Sequence, residues 1–227
     1  MQFNFKLKIV FIIIFIFFGY NFILAQNNKA DNIIISWQTS NFVPNFFRGK
    51  ILPSPGSMIN VSLELVQNNK LVDLSNTKIY WYVNNELISN IKGNKKINFL
   101  APNDTKVDIR VELPELNILK TIEIPITKPK IVINAPFPKK QVYSNNFDLV
   151  AYPYFFNIPN NFETNEYLFP EWQINRSPAT PYSYDPFKIN IQVIGENSTS
   201  IIIESKVSNL INNSEVATSK LELKFIK

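Results

Sequence analysis

The chain of 227 residues contains no cysteine and no histidine, and only 5 glycines. Without cysteine there is no disulfide framework, thiol nucleophile, thiolate zinc site or lipid-attachment residue. Without histidine the Ser-His-Asp and Cys-His arrangements are excluded, together with the commonest metal ligand. A Gly-rich phosphate loop and an Asp-x-Asp-x-Asp-Gly calcium loop are also lacking. No catalytic, cofactor-binding or metal-ligating set is therefore assigned, and the chain is read as not an enzyme. Paired carboxylates are the catalytic device that remains, as in glycoside hydrolysis. Glu163, Glu171 and Asp185 lie near aromatic residues, but the acidic residues mostly alternate outward along strands and are read as solvated surface.

Charge is nearly balanced. The chain carries 23 Lys and Arg against 18 Asp and Glu, a net +5, and Lys6 and Lys8 fall in the N-terminal segment. A nucleic-acid-binding domain needs a basic stripe or a reading motif. The nearest candidates, Lys92/Lys95/Lys96 and Lys139/Lys140, are read as solvated turn lysines, so no nucleic-acid partner is expected. The abundance of Asn, Ile, Lys and Phe points to an AT-rich coding sequence. It discounts the Asn-x-Ser/Thr triplets at Asn60, Asn103, Asn175, Asn197 and Asn212, which matter only if the host glycosylates.

The positive signals begin with a leader. Met1–Lys8 is short and basic, and Ile9–Ala25 is almost wholly apolar. A basic flank ahead of a hydrophobic run keeps the N-terminus in the cytoplasm and exports the chain beyond it. Residues 1–25 are read as a hydrophobic helix, either a signal peptide cleaved after Ala25 or a retained anchor contacting membrane through residues 9–25. An exported chain without disulfides is ordinary in bacteria.

From Asn32 onward, short β-branched and aromatic runs alternate with Pro, Asn, Gly and Ser clusters, the pattern of an all-β sandwich. In 106–113, Val107, Ile109, Val111 and Leu113 form one face, and Asp108, Arg110 and Glu112 the other. Period two with one wet face is what an antiparallel sandwich strand requires. The series 57–66, 78–84, 96–100, 106–113 and 120–126 then recurs, in order, as 147–155, 169–175, 188–191, 200–207 and 220–225. This is read as a divergent duplication. The expected organisation is the 1–25 leader, module one over 26–129 and module two over 130–227. The junction Thr127-Lys128-Pro129 is short enough to restrict the angle between modules, which suits a spacer.

Each repeat carries Trp-x-x-Asn, at Trp81–Asn84 and Trp172–Asn175. The Trp-Tyr-Val-Asn-Asn-Glu run resembles the strand that bears the buried Trp of bacterial Ig-like modules, which often lack the antibody disulfide. The Gly-Asp pair common after the tryptophan of PKD-type repeats is missing. The resemblance implies two tandem Ig-like antiparallel sandwiches, with Trp81 and Trp172 as structural core. The segment WQTSNFVPNFFRGKILPSPGS, with Trp37, Pro44, Phe47, Gly49, Pro53 and Gly56, is similar to the opening of exported proteins of reduced-genome bacteria that carry no assigned activity.

The functional expectation is an exported cell-surface structural or interaction protein, presenting two modules as a spacer or docking unit to other envelope or surface proteins. The alternative is a carbohydrate- or peptide-binding module. Tyr167, Tyr182 and Tyr184, in Pro-rich loops of module two, would then be the rings that grip a peptide or stack on glycans.

Overall fold

The computed structural model describes residues 32–158, 164–194 and 198–226. The leader and Glu163 lie outside them. Among the described residues, no helix is long and apolar enough to cross a membrane.

The chain is all-β, and its strands form two sandwiches in tandem. The first uses β1 (Asn32–Gln38), β2 (Met58–Gln67), β3 (Lys70–Leu71), β4 (Tyr80–Val83), β5 (Glu86–Ser89), β6 (Lys96–Leu100), β7 (Lys106–Leu113) and β8 (Ile118–Pro125). In one sheet β2 pairs antiparallel with β1, β6 and the short β3; the other runs β5-β4-β7-β8. The second sandwich uses β9 (Lys130–Asn134), β10 (Gln141–Val142), β11 (Asn146–Tyr154), β12 (Leu168–Ile174), β13 (Ser177–Ala179), β14 (Lys188–Gln192), β15 (Thr199–Asn209) and β16 (Val216–Phe225). Its sheets are β14-β11-β9 and β10-β16-β15-β12-β13, antiparallel throughout except for β10 against β16.

Alternation makes these strands sandwich strands. In β7 and in β11 every second side chain is buried, so each strand supplies one apolar face to its core. The first core gathers Ile59, Leu63, Trp81, Ile109 and Ile124 around the interior indole, and the second gathers Leu149, Trp172, Ile203, Val207 and Phe225. Trp81 is 0% exposed and Trp172 3%. Each indole N–H reaches a backbone carbonyl just ahead of the next long strand: Trp81 Nε1 donates to Asn94 at 2.8 Å and Trp172 Nε1 to Pro186 at 3.0 Å.

The two sandwiches share their main pairings, although β3 on β2 and β10 on β16 have no counterpart in the other. β2 pairs with β6 as β11 pairs with β14, and β4 pairs with β7 as β12 pairs with β15. The hairpins after the two tryptophan strands turn on successive left-handed residues, Asn84 and Asn85 (φ 48° and 68°) and Asn175 and Arg176 (φ 50° and 70°). Two such residues match a tight hairpin to the strand twist.

Five strands carry no clear signal in sequence. β1 opens on three consecutive isoleucines, Ile33–Ile35, which mask its alternation. In β5 three of the four side chains are exposed, so it has no buried face to betray it. β3, β10 and β13 are too short to show a period.

Candidate functional site

Tyr182 and Tyr184 occupy a closed turn, not an open loop. Tyr182 N–H donates to the Lys188 carbonyl at 2.9 Å, and Lys188 N–H returns to the Asp185 carbonyl at 3.0 Å. Asp185 Oδ1 accepts from Phe187 N–H at 3.1 Å. The turn folds over the outer face of the β14-β11-β9 sheet, where β11 and β14 present Asp148 and Asn190 directly opposite each other. Tyr182 Oη–H donates to Asp148 at 2.9 Å, Asn190 Nδ2 donates to the same carboxylate at 2.9 Å, and Lys188 Nζ lies 2.7 Å from its other oxygen. The Asn190 amide, then Lys188 and Tyr182, hold Asp148 down at a pKa of about 2. In return the carboxylate raises the Tyr182 phenol and the Lys188 ammonium above their ordinary values.

The polar groups of this network are engaged with one another. What it offers outward is one ring. Tyr184 is 70% exposed and lies 5.1 Å from the Tyr182 ring at 34°. A preorganised tyrosine face beside fixed polar groups can stack on a sugar or a peptide ring.

The structure separates the third tyrosine from this pair. Tyr167 closes a single helical turn (Thr164–Tyr167) ahead of β12, in the other sheet, and is partly buried against the second core. Glu171 and Asp185 are likewise apart. Glu171 faces solvent on β12, paired with Lys206 at 2.8 Å, whereas Asp185 serves the turn. Among the described residues, no group of three or more Asp or Glu side chains could hold a metal ion.

A second constellation lies where the sandwiches meet, and sequence reasoning did not find it. The loop between β1 and β2 reaches across to the end of β11. Phe42 N–H donates to the Phe156 carbonyl at 2.8 Å, and Phe155 N–H donates to the Phe42 carbonyl at 2.6 Å. Phe46 meets Tyr152 edge-on at 4.8 Å, and Phe47 meets Tyr154 and Phe155 at 5.8 Å. Inside this aromatic seam sits a buried polar chain. Asn41 Nδ2 donates to the Phe155 carbonyl at 2.9 Å and to Ser54 Oγ at 2.8 Å. Ser54 Oγ–H donates to Glu215 at 2.6 Å, and the other Glu215 oxygen accepts from Asn157 N–H at 2.9 Å and Asn209 Nδ2 at 2.8 Å. Glu215 is 3% exposed, and its partners answer both oxygens, as a buried carboxylate requires.

The Pro- and Gly-marked segment 37–57 is this fastener. Phe47 N–H closes a turn onto Pro44, and Thr127 N–H donates to the Pro53 carbonyl at 2.9 Å. A Cβ on Gly49 would come within 2.6 Å of the Phe47 ring, and Gly56 sits at φ +81°. Its density of Phe, Pro and Gly was the available signal, but nothing in a linear reading says that it faces the other repeat.

No family model matches the chain, and no curated protein matches it. Solved structures that resemble it include the three N-terminal domains of the highly immunogenic outer capsid protein of bacteriophage RB49. That likeness has a TM-score of 0.43 and 13% identity, and covers 86% of this chain and 59% of that one. Another is the pair of domains 4 and 5 of the S-layer protein SbsC, with a TM-score of 0.35, 9% identity and coverage of 86% and 97%. The fibronectin(III)-like modules of Clostridium thermocellum CbhA have a TM-score of 0.29, 12% identity and coverage of 85% and 93%.

Proposed function

We propose that the chain is an exported, non-catalytic surface protein whose two Ig-like modules, 26–129 and 130–227, are locked into one rigid spacer that docks other surface molecules. The observation that carries this reading is the bond from Ser54 of the first sandwich to Glu215 of the second, inside a seam where every polar group is answered. A buried carboxylate tolerates no loose partner, so this contact favours one mutual angle over a flexible hinge. The basic flank and apolar run of residues 1–25 support export.

Because the chain has no cysteine, introduced thiols test both halves cleanly. Lys106→Cys and Lys220→Cys place one exposed thiol on each sandwich. Spin labels at the pair should give a single narrow distance distribution in the full-length chain. A membrane-impermeant maleimide should label either variant on intact cells. A broad distribution removes the rigid spacer, and labelling that requires lysis removes export.

The exposed Tyr184 ring, fixed on Tyr182, favours a second reading, a glycan- or peptide-binding module. Loss of ligand binding on Tyr184→Ala, with the fold intact, would favour it.

A further inference from the structure

A different face carries groups that the protein itself leaves unanswered. On the outer side of the first sandwich, β1, β2 and β6 align two rows in register. Gln38, Asn60 and Asn98 stand side by side across the three strands, and the adjacent row is Ser36, Ser62 and Lys96. Together they floor a groove of about 570 Å³, within the usual range for ligand sites. Ser36 and Ser62 bond each other at 2.7 Å. Among the described residues, the three amides and the Lys96 ammonium make no side-chain hydrogen bond or ion pair. This is the reverse of the Asp148 network, whose groups are engaged with one another.

The groove is also charged without neutralisation. Lys96 and Lys50 line it and no carboxylate does. The nearest acid along β2, Glu64, is taken by Lys95 at 3.2 Å. Lys50 is held in place, its ammonium 4.2 Å over the Trp37 ring and bonded to the Trp37 carbonyl.

We infer that this groove binds an acidic glycan, a sugar chain whose hydroxyls are interspersed with carboxylate or phosphate groups. A side-chain amide sets a donor beside an acceptor, which suits vicinal sugar hydroxyls. One amide per strand repeats about every 4.8 Å, comparable with one pyranose residue. The Lys96 ammonium, with no partner of its own, and the Lys50 ammonium, which has no carboxylate partner, answer the acidic groups, and their charge does not suit a neutral sugar. A nucleic acid would want an open aromatic ring for stacking, but Lys50 covers Trp37. A β-strand peptide would add to an edge, whereas the amide row crosses the face.

The test is titration of the full-length chain, in a sugar-free detergent, with hexagalacturonate and with a phosphorylated mannose oligosaccharide. Cellohexaose and polyglutamate serve as neutral and sugar-free controls. Saturable, salt-sensitive binding of either acidic glycan is expected, and the arm that binds identifies the acidic group. Lys96→Gln and the pair Asn60→Ala/Asn98→Ala should each weaken it at least roughly tenfold, as loss of a charged hydrogen bond or of two neutral ones implies. Lys220→Gln, on the other sandwich, should leave it unchanged, and unchanged melting would show that the groove variants still fold. Failure of both acidic glycans to bind overturns the proposal, as does equal binding of cellohexaose or polyglutamate, or binding that survives the groove substitutions. The groove lies within one sandwich, so failure here leaves the rigid-spacer reading standing.

Discussion

Asn84 clips both backbone groups of Asp108: its N–H donates to the Asp108 carbonyl at 2.9 Å, and its Oδ1 accepts the Asp108 N–H at 3.0 Å. The second repeat does the same with Asn175 and Ile202, at 2.8 and 2.9 Å. The asparagine of Trp-x-x-Asn therefore has two tasks. It enters the left-handed turn, which asparagine tolerates better than most residues, and it ties the hairpin to β7 or β15.

Asn84→Ala and Asn175→Ala lose the side-chain bond and keep a strained turn, so each should cost about 1–3 kcal/mol in urea unfolding. Glycine at either position relieves the turn and loses only the bond, and should cost less than alanine. If glycine proves the worse substitution, the turn argument fails.

The interior indoles set a larger effect. Trp81→Ala and Trp172→Ala each empty the centre of a core, and such truncations cost about 3–5 kcal/mol. Trp81→Phe keeps most of the apolar contact but leaves the Asn94 carbonyl without its donor, a loss of about 1–3 kcal/mol. Calorimetry on the four single variants, Trp81→Phe, Trp172→Phe and the two alanines, should rank each alanine below its phenylalanine.

How much of this was legible depends on where the information lies. β7 showed itself because Val107, Ile109, Val111 and Leu113 alternate with charges in a strand that has one wet face. The tandem order of similar strand runs was legible because strand order is linear. β1 and β5 did not, one because isoleucines occupy both faces, the other because as an edge strand it buries almost nothing. That Tyr167 stands apart from Tyr182 and Tyr184 was hidden, because Pro-rich surroundings do not reveal that a helical turn packs its ring partly against the second core. The seam was invisible because Ser54 and Glu215 are ordinary residues in loops, and only the tertiary arrangement makes them neighbours.

That seam makes a prediction of its own. Ser54→Ala removes the cross-module bond, and Glu215→Gln sets an amide donor against Ser54 or against Asn157 N–H and Asn209 Nδ2, so the pair should be non-additive in a double-mutant cycle, with a coupling of about 0.5–3 kcal/mol. Glu215→Ala strands Ser54 Oγ, Asn157 N–H and Asn209 Nδ2 together and should exceed either milder change. Spin-label distances should broaden in the same variants. Additive effects with unchanged distances would reduce the contact to a surface coincidence.

Asp148 gives the pH dependence. Its folded value of about 2 lies below the usual carboxylate value of about 3.9. A lowered folded value stabilises the network fully above the ordinary range, and that contribution is lost as pH falls through about 2. Side-chain carboxyl chemical shifts should titrate near there. Asn190→Ala should move the midpoint upward most and Lys188→Ala less, in the order of the causes. A midpoint near the ordinary value of about 3.9 in the folded chain would show that the network around Asp148 is not formed.

Ser205 offers a stabilising change. It lies opposite Trp172 in the β12–β15 pair, where the first repeat sets Val111 opposite Trp81. Its side chain is fully buried, and its Oγ makes no hydrogen bond. A hydroxyl removed from water without a partner costs about 1–3 kcal/mol, whereas the valine at the matching place has nothing polar to satisfy. Ser205→Ala removes the oxygen and adds no volume, so it should raise the urea midpoint of the second sandwich by about 1 kcal/mol equivalent with an unchanged slope. Ser205→Val would test whether the site can also take the first repeat's larger side chain. A loss of stability in the alanine variant would mean that the hydroxyl is satisfied in solution, by water entering beside the indole.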